Sequence, residues 1–235
     1  MRKRLRQAQE QAIHSERLSM IGQMASSIIH DFRTPMSTIN LAVESLEETK
    51  DLSPERTKQW YRMIREAIGR MVSMAQELLD FSRGDTRLEK VDFSLEEFVQ
   101  LLIHNVKPNL EQAHVTLKLN TQVTGTASFD PDKMYRALVN IINNAQDAMP
   151  KGGTLTFGLS RANGEILFSV TDTGVGIPPE IKEKMFEAFV TSGKKRGTGL
   201  GLAITKRIID QHGGTIIVES ERWKGTTFTV KIPAT

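Results

Sequence analysis

Apolar residues recur at alternating spacings of three and four in two stretches of the first third of the chain. This pattern is typical of helices packed in a bundle or coiled coil. The first stretch lies in a helical pattern over about residues 7–49, and its apolar positions are Leu18, Ile21, Ala25, Ile28, Phe32, Pro35, Ile39, Ala42 and Leu46. The second follows a helix start at Ser53 and Pro54, and its positions are Trp60, Ile64, Ala67, Met71, Met74, Leu78 and Phe81. We call these two rows of apolar positions the seams. Two such helices joined by a short connection predict an antiparallel helical hairpin.

A single hairpin buries its apolar stripes poorly, whereas two hairpins from two chains can pair as a four-helix bundle. We therefore expect a homodimer. Residues 82–86 break the second helix with the sequence Ser-Arg-Gly-Asp-Thr and form the candidate linker. This divides the chain into a helical domain, residues 1–85, and a second domain, residues 86–235.

After the linker the pattern changes to short strands mixed with helices. Strands are predicted at about residues 114–120, 124–129, 154–160, 165–171, 215–219 and 226–232. Helices are predicted at about residues 95–107, 131–149, 178–189 and 198–212, and Ser94 and Glu97 form a candidate capping box for the first. Two late hairpins without strict alternation of strand and helix predict an α+β sandwich.

Composition narrows the class of protein. The chain has 235 residues, 39% hydrophobic and 25% charged, which is typical of a globular protein of one or two domains. It has no cysteine, so disulfides and thiolate metal sites are excluded. No apolar run is long enough to span a bilayer, and a net charge of +3 is too small to indicate a nucleic-acid partner. The basic residues 1–6 fit either a juxtamembrane segment or a solvated helix start.

The first seam places a group of polar side chains on the outer face of its helix. His30 falls at the heptad position that points away from the seam, Thr34 follows one turn later on the same face, and Asp31 lies beside them. Pro35 removes the amide that would bond the Asp31 carbonyl and costs a helix about 3 kcal/mol. A surface histidine before a tolerated proline is the alternative, but the whole combination favours a functional site.

The second domain contains two elements suited to a nucleotide. Asn140 and Asn144 share one face of a predicted helix, and an asparagine carbonyl oxygen can ligate Mg²⁺. Asp172, Gly174 and Gly176 follow a predicted strand. The Asp172 carboxylate can accept a hydrogen bond from an exocyclic amine such as that of adenine, and the two glycines allow close approach of a flat base.

A third element, Gly197-Thr198-Gly199-Leu200-Gly201, opens a predicted helix. Glycines before a helix N-terminus expose backbone N–H groups, and the helix dipole favours phosphate there. The element is neither a Walker A loop nor a dinucleotide fingerprint, because the required residues and βαβ context are missing.

These motifs resemble those of a known family. The sequence His30-Asp-Phe-Arg-Thr-Pro35 is similar to the phospho-acceptor box of two-component sensor histidine kinases, and the three later elements resemble the N, G1 and G2 boxes of the GHKL ATP-binding fold. Phe186 and Phe189 resemble the F box, residues 191–196 the mobile ATP lid, and residues 225–228 the last glycine box. The resemblance covers about residues 18–233. It departs at Asp147, where many relatives carry Lys or Arg, and at Ala188, where proline is common.

The resemblance implies a homodimeric sensor histidine kinase core that uses ATP and Mg²⁺. It implies that His30 accepts the γ-phosphoryl group, that Asp31 acts as base or orienter, and that Thr34 holds a water for dephosphorylating the regulator. It further implies a metal ligand at Asn144 and nucleotide contacts at Asn140, Asn144, Asp147, Asp172, Gly174, Gly176, Lys194, Lys195, Thr198, Gly199, Leu200, Gly201 and Thr227.

The implied partner is a response regulator, whose receiver aspartate takes the phosphoryl group. We expect a cytoplasmic location, and either an upstream sensor domain outside this chain or sensing through a partner. Two other functions remain: a GHKL ATPase or serine kinase, and a non-catalytic dimer scaffold. ATPases of this fold carry a water-activating Glu near the position of Asn140, and asparagine is a poor base.

Overall fold

The computed structural model describes residues 11, 15–48, 53–83, 88–121, 123–190 and 198–234. The chain divides into two compact units: the first comprises Met1–Asp85 and Lys194–Leu200, and the second comprises Thr86–Gly193 and Gly201–Thr235. The predicted helix over residues 7–10, the basic residues 1–6, the linker residues 84–86 and the predicted lid residues 191–196 lie outside the described residues. None of the described helices is both long and apolar enough to cross a membrane.

The first unit is the predicted helical hairpin. It consists of α1, Ala25–Glu48, and α2, Pro54–Arg83. Residues 15–23 are also helical, and the Met24 amide donates to the Met20 carbonyl at 3.0 Å, so the helix runs on into α1. Ser53 caps α2 as predicted, because its Oγ accepts the Arg56 amide at 3.3 Å.

The burial of side chains confirms the two seams over most of their length. Every seam position of α2 is buried or half-buried, and so is every seam position of α1 from Ile28 onward. Leu18 and Ala25, at the start of the first seam, are exposed. Pro35 is buried and α1 continues through it. The periodic apolar positions therefore pack the two helices against each other.

The second unit is an α+β fold with two sheets. Its strands are β1 (Val91–Ser94), β2 (Val115–Thr121), β3 (Thr126–Phe129), β4 (Gly153–Ala162), β5 (Glu165–Asp172), β6 (Thr215–Glu221) and β7 (Gly225–Pro233). Its helices are α3 (Leu95–Gln112), α4 (Pro131–Asp147), α5 (Pro179–Lys182) and α6 (Gly201–Gln211). β1 and β3 form a small antiparallel sheet, and the main sheet has the order β2-β4-β5-β7-β6. Only the β2–β4 pair of the main sheet is parallel.

The core lies between one face of the main sheet and the helices. In β5 the side chains of Ile166, Phe168 and Val170 are buried, while the residues between them are only half-buried. Phe98 of α3 meets Phe129 and Phe168 edge-on, with ring centroids 5.1 and 5.8 Å apart. This alternation makes the structure a two-layer sandwich, which confirms the predicted fold class.

Four details of the predicted elements are wrong. β1 was not predicted, and α3 continues past Pro108 to Gln112 because Leu110 on its inner face is fully buried. The predicted helix at residues 178–189 is only α5 followed by turns, and Phe189, with a φ of 65°, is not helical. The predicted helix at residues 198–212 begins only at Gly201, because Gly199 has a φ of 71°.

Two side chains, Ser94 and Glu96, accept backbone hydrogen bonds at the start of α3. Ser94 Oγ accepts the Glu97 amide at 3.2 Å, as predicted. It is the Glu96 carboxylate, however, that reaches the start of β3, where both oxygens lie 3.1 Å from the Gly125 amide. Backbone hydrogen bonds from its own amide and from Gly125 lower the pKa of Glu96 below its usual 4.5. A carboxyl with a lowered pKa stabilises the fold above pH 4.5 and loses that contribution as pH falls.

We expect Glu96→Gln to lower the melting temperature at pH 7 relative to the wild type, because the amide is a weaker acceptor for the Gly125 N–H. The difference should shrink as pH falls below about 4.5. Glu97→Gln is the matched control, since Glu97 is an exposed carboxyl in the same helical turn. Melting curves from pH 3.5 to pH 7 measure the effect. Equal losses in the two variants would show that charge near the helix end matters rather than this contact.

Candidate functional site

The outer face of α1 presents His30 as the sequence predicts. The side chain is 77% exposed, and its Nδ1 lies 3.5 Å from Oδ1 of Asp31, which is 29% exposed. Thr34 is exposed one turn further on. A shallow depression at this point of the helix is lined by His30, Arg33, Thr34, Ser37, Thr38 and Leu41. The arrangement offers an accessible imidazole ring nitrogen next to a carboxylate.

The hydroxyl groups near His30 differ in their hydrogen bonds. Thr38 Oγ1 donates to the Thr34 carbonyl at 3.1 Å, so it is committed to the helix backbone. Among the described residues no partner is recorded for the Thr34 hydroxyl, which stands exposed on the same face as His30. Thr34 therefore has a hydroxyl that can bind water, whereas that of Thr38 supports the helix.

Helix α4 carries the two predicted asparagines on one flank. Asn140 Nδ2 donates to Thr205 Oγ1 of α6 at 2.9 Å, and Asn144 Nδ2 donates to the Asn140 carbonyl at 2.9 Å. This bond uses one of the two N–H groups of the Asn144 amide, and its carbonyl oxygen is the candidate metal ligand. One amide oxygen together with water and phosphate oxygens suits Mg²⁺. No cluster of three or more acidic, histidine or cysteine residues that could hold a metal exists in the described ranges.

The loop after β5 is held against the end of α4. Asp172 is 3% exposed, and its Oδ1 accepts the Gly174 amide at 2.8 Å. The Val175 amide donates to the Ala148 carbonyl at 3.1 Å, and a Cβ on Gly174 would lie only 2.6 Å from the same oxygen. The glycine is therefore required for the loop to reach α4. This contact brings the predicted adenine carboxylate close to the asparagine helix.

The β6–β7 hairpin supports the other side of this loop. The Trp223 amide donates to the Val175 carbonyl at 2.8 Å, and Ser220 Oγ accepts the Ile177 amide at 2.8 Å. Gly176 has a φ of 70°, and a Cβ there would overlap the Glu221 carbonyl. The loop is thus fixed from both sides by backbone contacts.

Thr227 of β7 pairs with Thr171 of β5, and their hydroxyl oxygens are 3.0 Å apart. Both side chains are half-buried, and the contact of Thr227 with the nucleotide remains a prediction. Thr226 pairs with Asp172 and is buried on the same face as that carboxylate. Strand alternation could have found this, because Thr226 shares its face with the core residue Phe228 and Thr227 does not.

The glycine-rich element lies just before and at the start of α6. Leu200 donates its amide to Thr198 Oγ1 at 3.2 Å across Gly199, and this bond forms a tight turn. Gly201 packs against Asn140, and a Cβ at this position would overlap the asparagine side chain. The start of α6 is therefore in contact with the asparagine flank of α4.

The remaining predicted site residues are Asp147, Lys194 and Lys195. Asp147 is exposed at the end of α4. Lys194 and Lys195 lie outside the described residues, so their predicted contact with the phosphates remains a prediction.

Comparison with known proteins identifies two family models in the chain. The model described as "His Kinase A (phospho-acceptor) domain" matches residues 20–87. The model described as "Histidine kinase-, DNA gyrase B-, and HSP90-like ATPase" matches residues 129–235. The two matches fall on the helical hairpin and on the part of the α/β unit that contains α4 and all the glycine elements.

Curated relatives align with nearly the whole chain. Sporulation kinase D of Bacillus subtilis (strain 168) is 30% identical over 98% of this chain and 45% of its own length. The sensor histidine kinase WalK of the same organism is 33% identical over 90% of this chain and 36% of its own length. The adaptive-response sensory kinase SasA of Synechococcus sp. (strain JA-3-3Ab) is 29% identical over 96% and 62%. The chain thus spans between about a third and three-fifths of these relatives.

Solved structures show the same architecture. The histidine kinase ThkA, solved in complex with the response regulator protein TrrA, superimposes with a TM-score of 0.76 at 27% identity, covering 97% of this chain and 66% of that one. The catalytic domain of ThkA by itself is 30% identical with a TM-score of 0.57, covering 63% of this chain and 99% of that domain. The α/β unit is therefore a GHKL-type fold, as the motifs predict.

We expect Gly174→Ala to destabilise the α/β unit by about 1–3 kcal/mol, because the methyl group must push the Ala148 backbone away. It should also weaken ATP binding, since the loop that carries Asp172 moves off α4. Gly69→Ala is the control, because nothing lies within 4 Å of a Cβ at that helical position. Unfolding curves and calorimetric titration with ATP measure both effects. Wild-type stability and affinity in Gly174→Ala would contradict the close approach of this loop.

Proposed function

The chain belongs to the two-component sensor histidine kinase family, and we propose that it is a kinase core that transfers the γ-phosphoryl group of ATP to His30. The observation that carries the proposal is the exposed His30 imidazole with Asp31 3.5 Å from its Nδ1. A proton on Nδ1 that is shared with this carboxylate leaves the Nε2 lone pair free to attack phosphorus. The N–P bond forms as the bond between the β,γ-bridging oxygen and the γ-phosphorus breaks, and ADP leaves.

We assign the nucleotide to the α/β unit, from residue 86 to residue 235. Asp172, with Gly174 and Gly176, is proposed to bind adenine, and Thr226 to assist from the same sheet face. Asn140 and Asn144 are proposed to face the phosphates from α4, with the Asn144 carbonyl oxygen holding Mg²⁺, and Thr198, Gly199, Leu200 and Gly201 to face them from the start of α6. When bound, Mg²⁺ neutralises phosphate charge. Asp147, Lys194 and Lys195 remain candidate contacts that await mutagenesis.

The geometry at Asn140 favours a kinase over an ATPase. An ATPase needs a base next to its attacking water, but Asn140 donates its amide to Thr205 and carries no basic group. The Asn140 side chain therefore bonds α4 to α6 and cannot act as a base toward a water molecule. His30, by contrast, supplies a nucleophile of its own.

We propose that residues 1–85 form the dimerisation and phospho-acceptor domain. A second apolar stripe runs along the hairpin outside the seams. On α1 it consists of Ile29, Met36 and Val43, one heptad apart, and on α2 of Tyr61, Ile68, Val72 and Leu79. Val72 is 63% exposed and Ile29 60%. An exposed apolar stripe of this length favours burial against a partner surface. A second hairpin provides that surface and completes a four-helix bundle.

We further propose that the phosphoryl group passes from His30 to an aspartate on a response-regulator receiver domain, which docks at the depression around His30. The relative ThkA was solved with such a regulator, which supports this class of partner. Since the relatives extend well beyond the matched region, we propose that an upstream sensor domain or a separate partner provides the signal. ATP as donor places the reaction in the cytoplasm, either in an independent protein or in the cytoplasmic part of a larger sensor.

Incubation with γ-labelled ATP and Mg²⁺ tests the proposed function. The wild type should acquire label that acid removes, because phosphohistidine is acid-labile, and His30→Ala should acquire none while still binding ATP. His104→Ala is the control, since His104 is an exposed histidine on α3. Asn144→Ala should lose Mg²⁺-dependent binding and labelling together. Acid-stable label, or label retained in His30→Ala, would indicate a different kinase class.

A second test separates the two reactions proposed for this helical turn. Thr34→Ala should retain labelling of His30 and lose dephosphorylation of the regulator, because the Thr34 hydroxyl is proposed to hold the attacking water. Asp31→Ala should lose mainly labelling. Thr38→Ala is the matched control, because its hydroxyl is already donated to the backbone. The measurement is the decay of phosphorylated regulator with each variant. Unchanged decay with Thr34→Ala would leave that residue a structural role only.

A further inference from the structure

A buried histidine joins the far ends of α4 and α6. His212 follows α6 directly and is 2% exposed. Its Nε2 lies 3.0 Å from the Asp130 amide, and its Nδ1 lies 2.7 Å from the Ile208 carbonyl. A backbone amide can only donate, so Nε2 is the acceptor and the ring proton resides on Nδ1, where it bonds to Ile208. The neutral ring is therefore satisfied at both nitrogens, and a second proton would face the Asp130 N–H.

Asp130 connects this ring to two further segments. Its Oδ1 accepts the Lys133 amide at 3.0 Å and so caps α4. Its Oδ2 accepts the Glu89 amide at 3.0 Å, in the segment that leads into β1. Asp130 is itself buried. His212 thus ends α6 on a rigid junction that also fixes the start of α4.

The same two helices are joined a second time at the nucleotide end. There Asn140 donates to Thr205, and Gly201 packs on the Asn140 side chain. The two junctions are ten residues apart along α4, from residue 130 to residue 140. A single junction would let α6 pivot or slide along α4, whereas two junctions fix its axial register. The first turn of α6 then keeps its place beside Asn140 and Asn144.

We propose that His212 is a positioning residue for nucleotide binding, which holds α6 in axial register with α4 so that the first turn of α6 meets the phosphates beside Asn144. This inference rests on the proposed function, because it assumes that the nucleotide phosphates bind there. The adenine-binding loop after β5 is held by other contacts, to Ala148 and Trp223. Loss of the His212 contact should therefore weaken binding of the phosphates and leave recognition of the base intact.

The surroundings of His212 make this contact sensitive to acid. Burial lowers the pKa of His212, and the hydrogen bond to the Ile208 carbonyl raises it by a smaller amount. Among the nearby charges, Lys90 and Lys133 lower the pKa further, while Asp130 raises it. The contribution to stability is complete above the usual histidine pKa of 6.5 and declines as pH falls toward the lowered value, because the unfolded chain takes up the proton first. Phosphate binding by the folded protein should weaken at lower pH still, where His212 takes up a proton in the folded state and loses the Asp130 contact.

Two variants of the full chain test the proposal by calorimetry with Mg-ATP and, by competition, with adenosine. His212→Phe keeps a ring but loses both nitrogens, and we expect ATP affinity to fall about tenfold with adenosine affinity nearly unchanged. His212→Gln can accept the Asp130 N–H and donate to a carbonyl without titrating. It should retain most of the ATP affinity and show a smaller loss than the wild type as pH is lowered from 6.5 to the lowest pH at which the wild type stays folded. His104→Phe is the control for histidine replacement.

The outcomes separate the inference from the proposed function. Equal weakening of ATP and adenosine in His212→Phe would mean a general structural role and overturn the inference, as would unchanged affinity for both. If His212→Phe fails to fold, the acid profile of His212→Gln decides, and a profile that matches the wild type overturns the inference. Any pH dependence of ATP itself is shared by both proteins and cancels. A wild type that binds no ATP overturns the proposed function and this inference with it.

Discussion

The packing of α4 against the main sheet is the constraint on which both the core and the candidate site depend. The inner face of the helix buries Met134, Ala137, Leu138, Ile141 and Ala145. Each large side chain contributes about 1.5–3 kcal/mol when it leaves water, against about 0.5–1.5 kcal/mol for a hydrogen bond. Apolar burial therefore fixes the rotation of α4, and Asn140 and Asn144 take their places as a consequence. The hydrogen bonds of the asparagines then refine a position that the core has already set.

The loop after β5 depends on this placement of α4. It can reach the Ala148 carbonyl only because Gly174 has no side chain, and it is held from behind by the β6–β7 hairpin. A carboxylate buried at a strand end needs donors, and the Gly174 amide supplies one to Asp172. The glycines thus serve close packing between backbones as well as room for a ligand. The position of this loop and that of α4 are coupled through a few main-chain contacts.

Local patterns predicted most of the fold, and failures occurred where tertiary contacts or special backbone angles decide. The heptad seams and the alternation of β5 follow directly from periodic burial, so both were predictable. The end of α3 was not, because burial of Leu110 outweighs the proline at 108. The helix predicted over residues 178–189 ends at Lys182, and the positive φ of Phe189 could not be predicted from its residue type.

The candidate site likewise contains residues that local patterns indicate and residues whose placement depends on tertiary contacts. Motifs that combine residue type with spacing single out His30, Asn140, Asn144 and Asp172, whose roles remain predictions. They do not single out Thr226, although the alternation of β7 places it on the same face as the buried Phe228. His212 was missed because its role depends on Asp130, which is 82 residues away in the sequence. A polar contact of that range leaves no periodic signal.

The turn of α1 that carries His30 is held by packing more than by its own hydrogen bonds. Pro35 offers no amide to the Asp31 carbonyl, and a proline inside a helix costs about 3 kcal/mol. The helix nevertheless continues, because the Pro35 ring and its neighbours Phe32 and Ala42 are sheltered in the seam with α2. The geometry of the His30–Asp31 pair therefore depends on how well the bundle is packed around this turn. A change in the packing of the bundle would act first where the helix backbone lacks a bond, and that place adjoins His30, the proposed nucleophile.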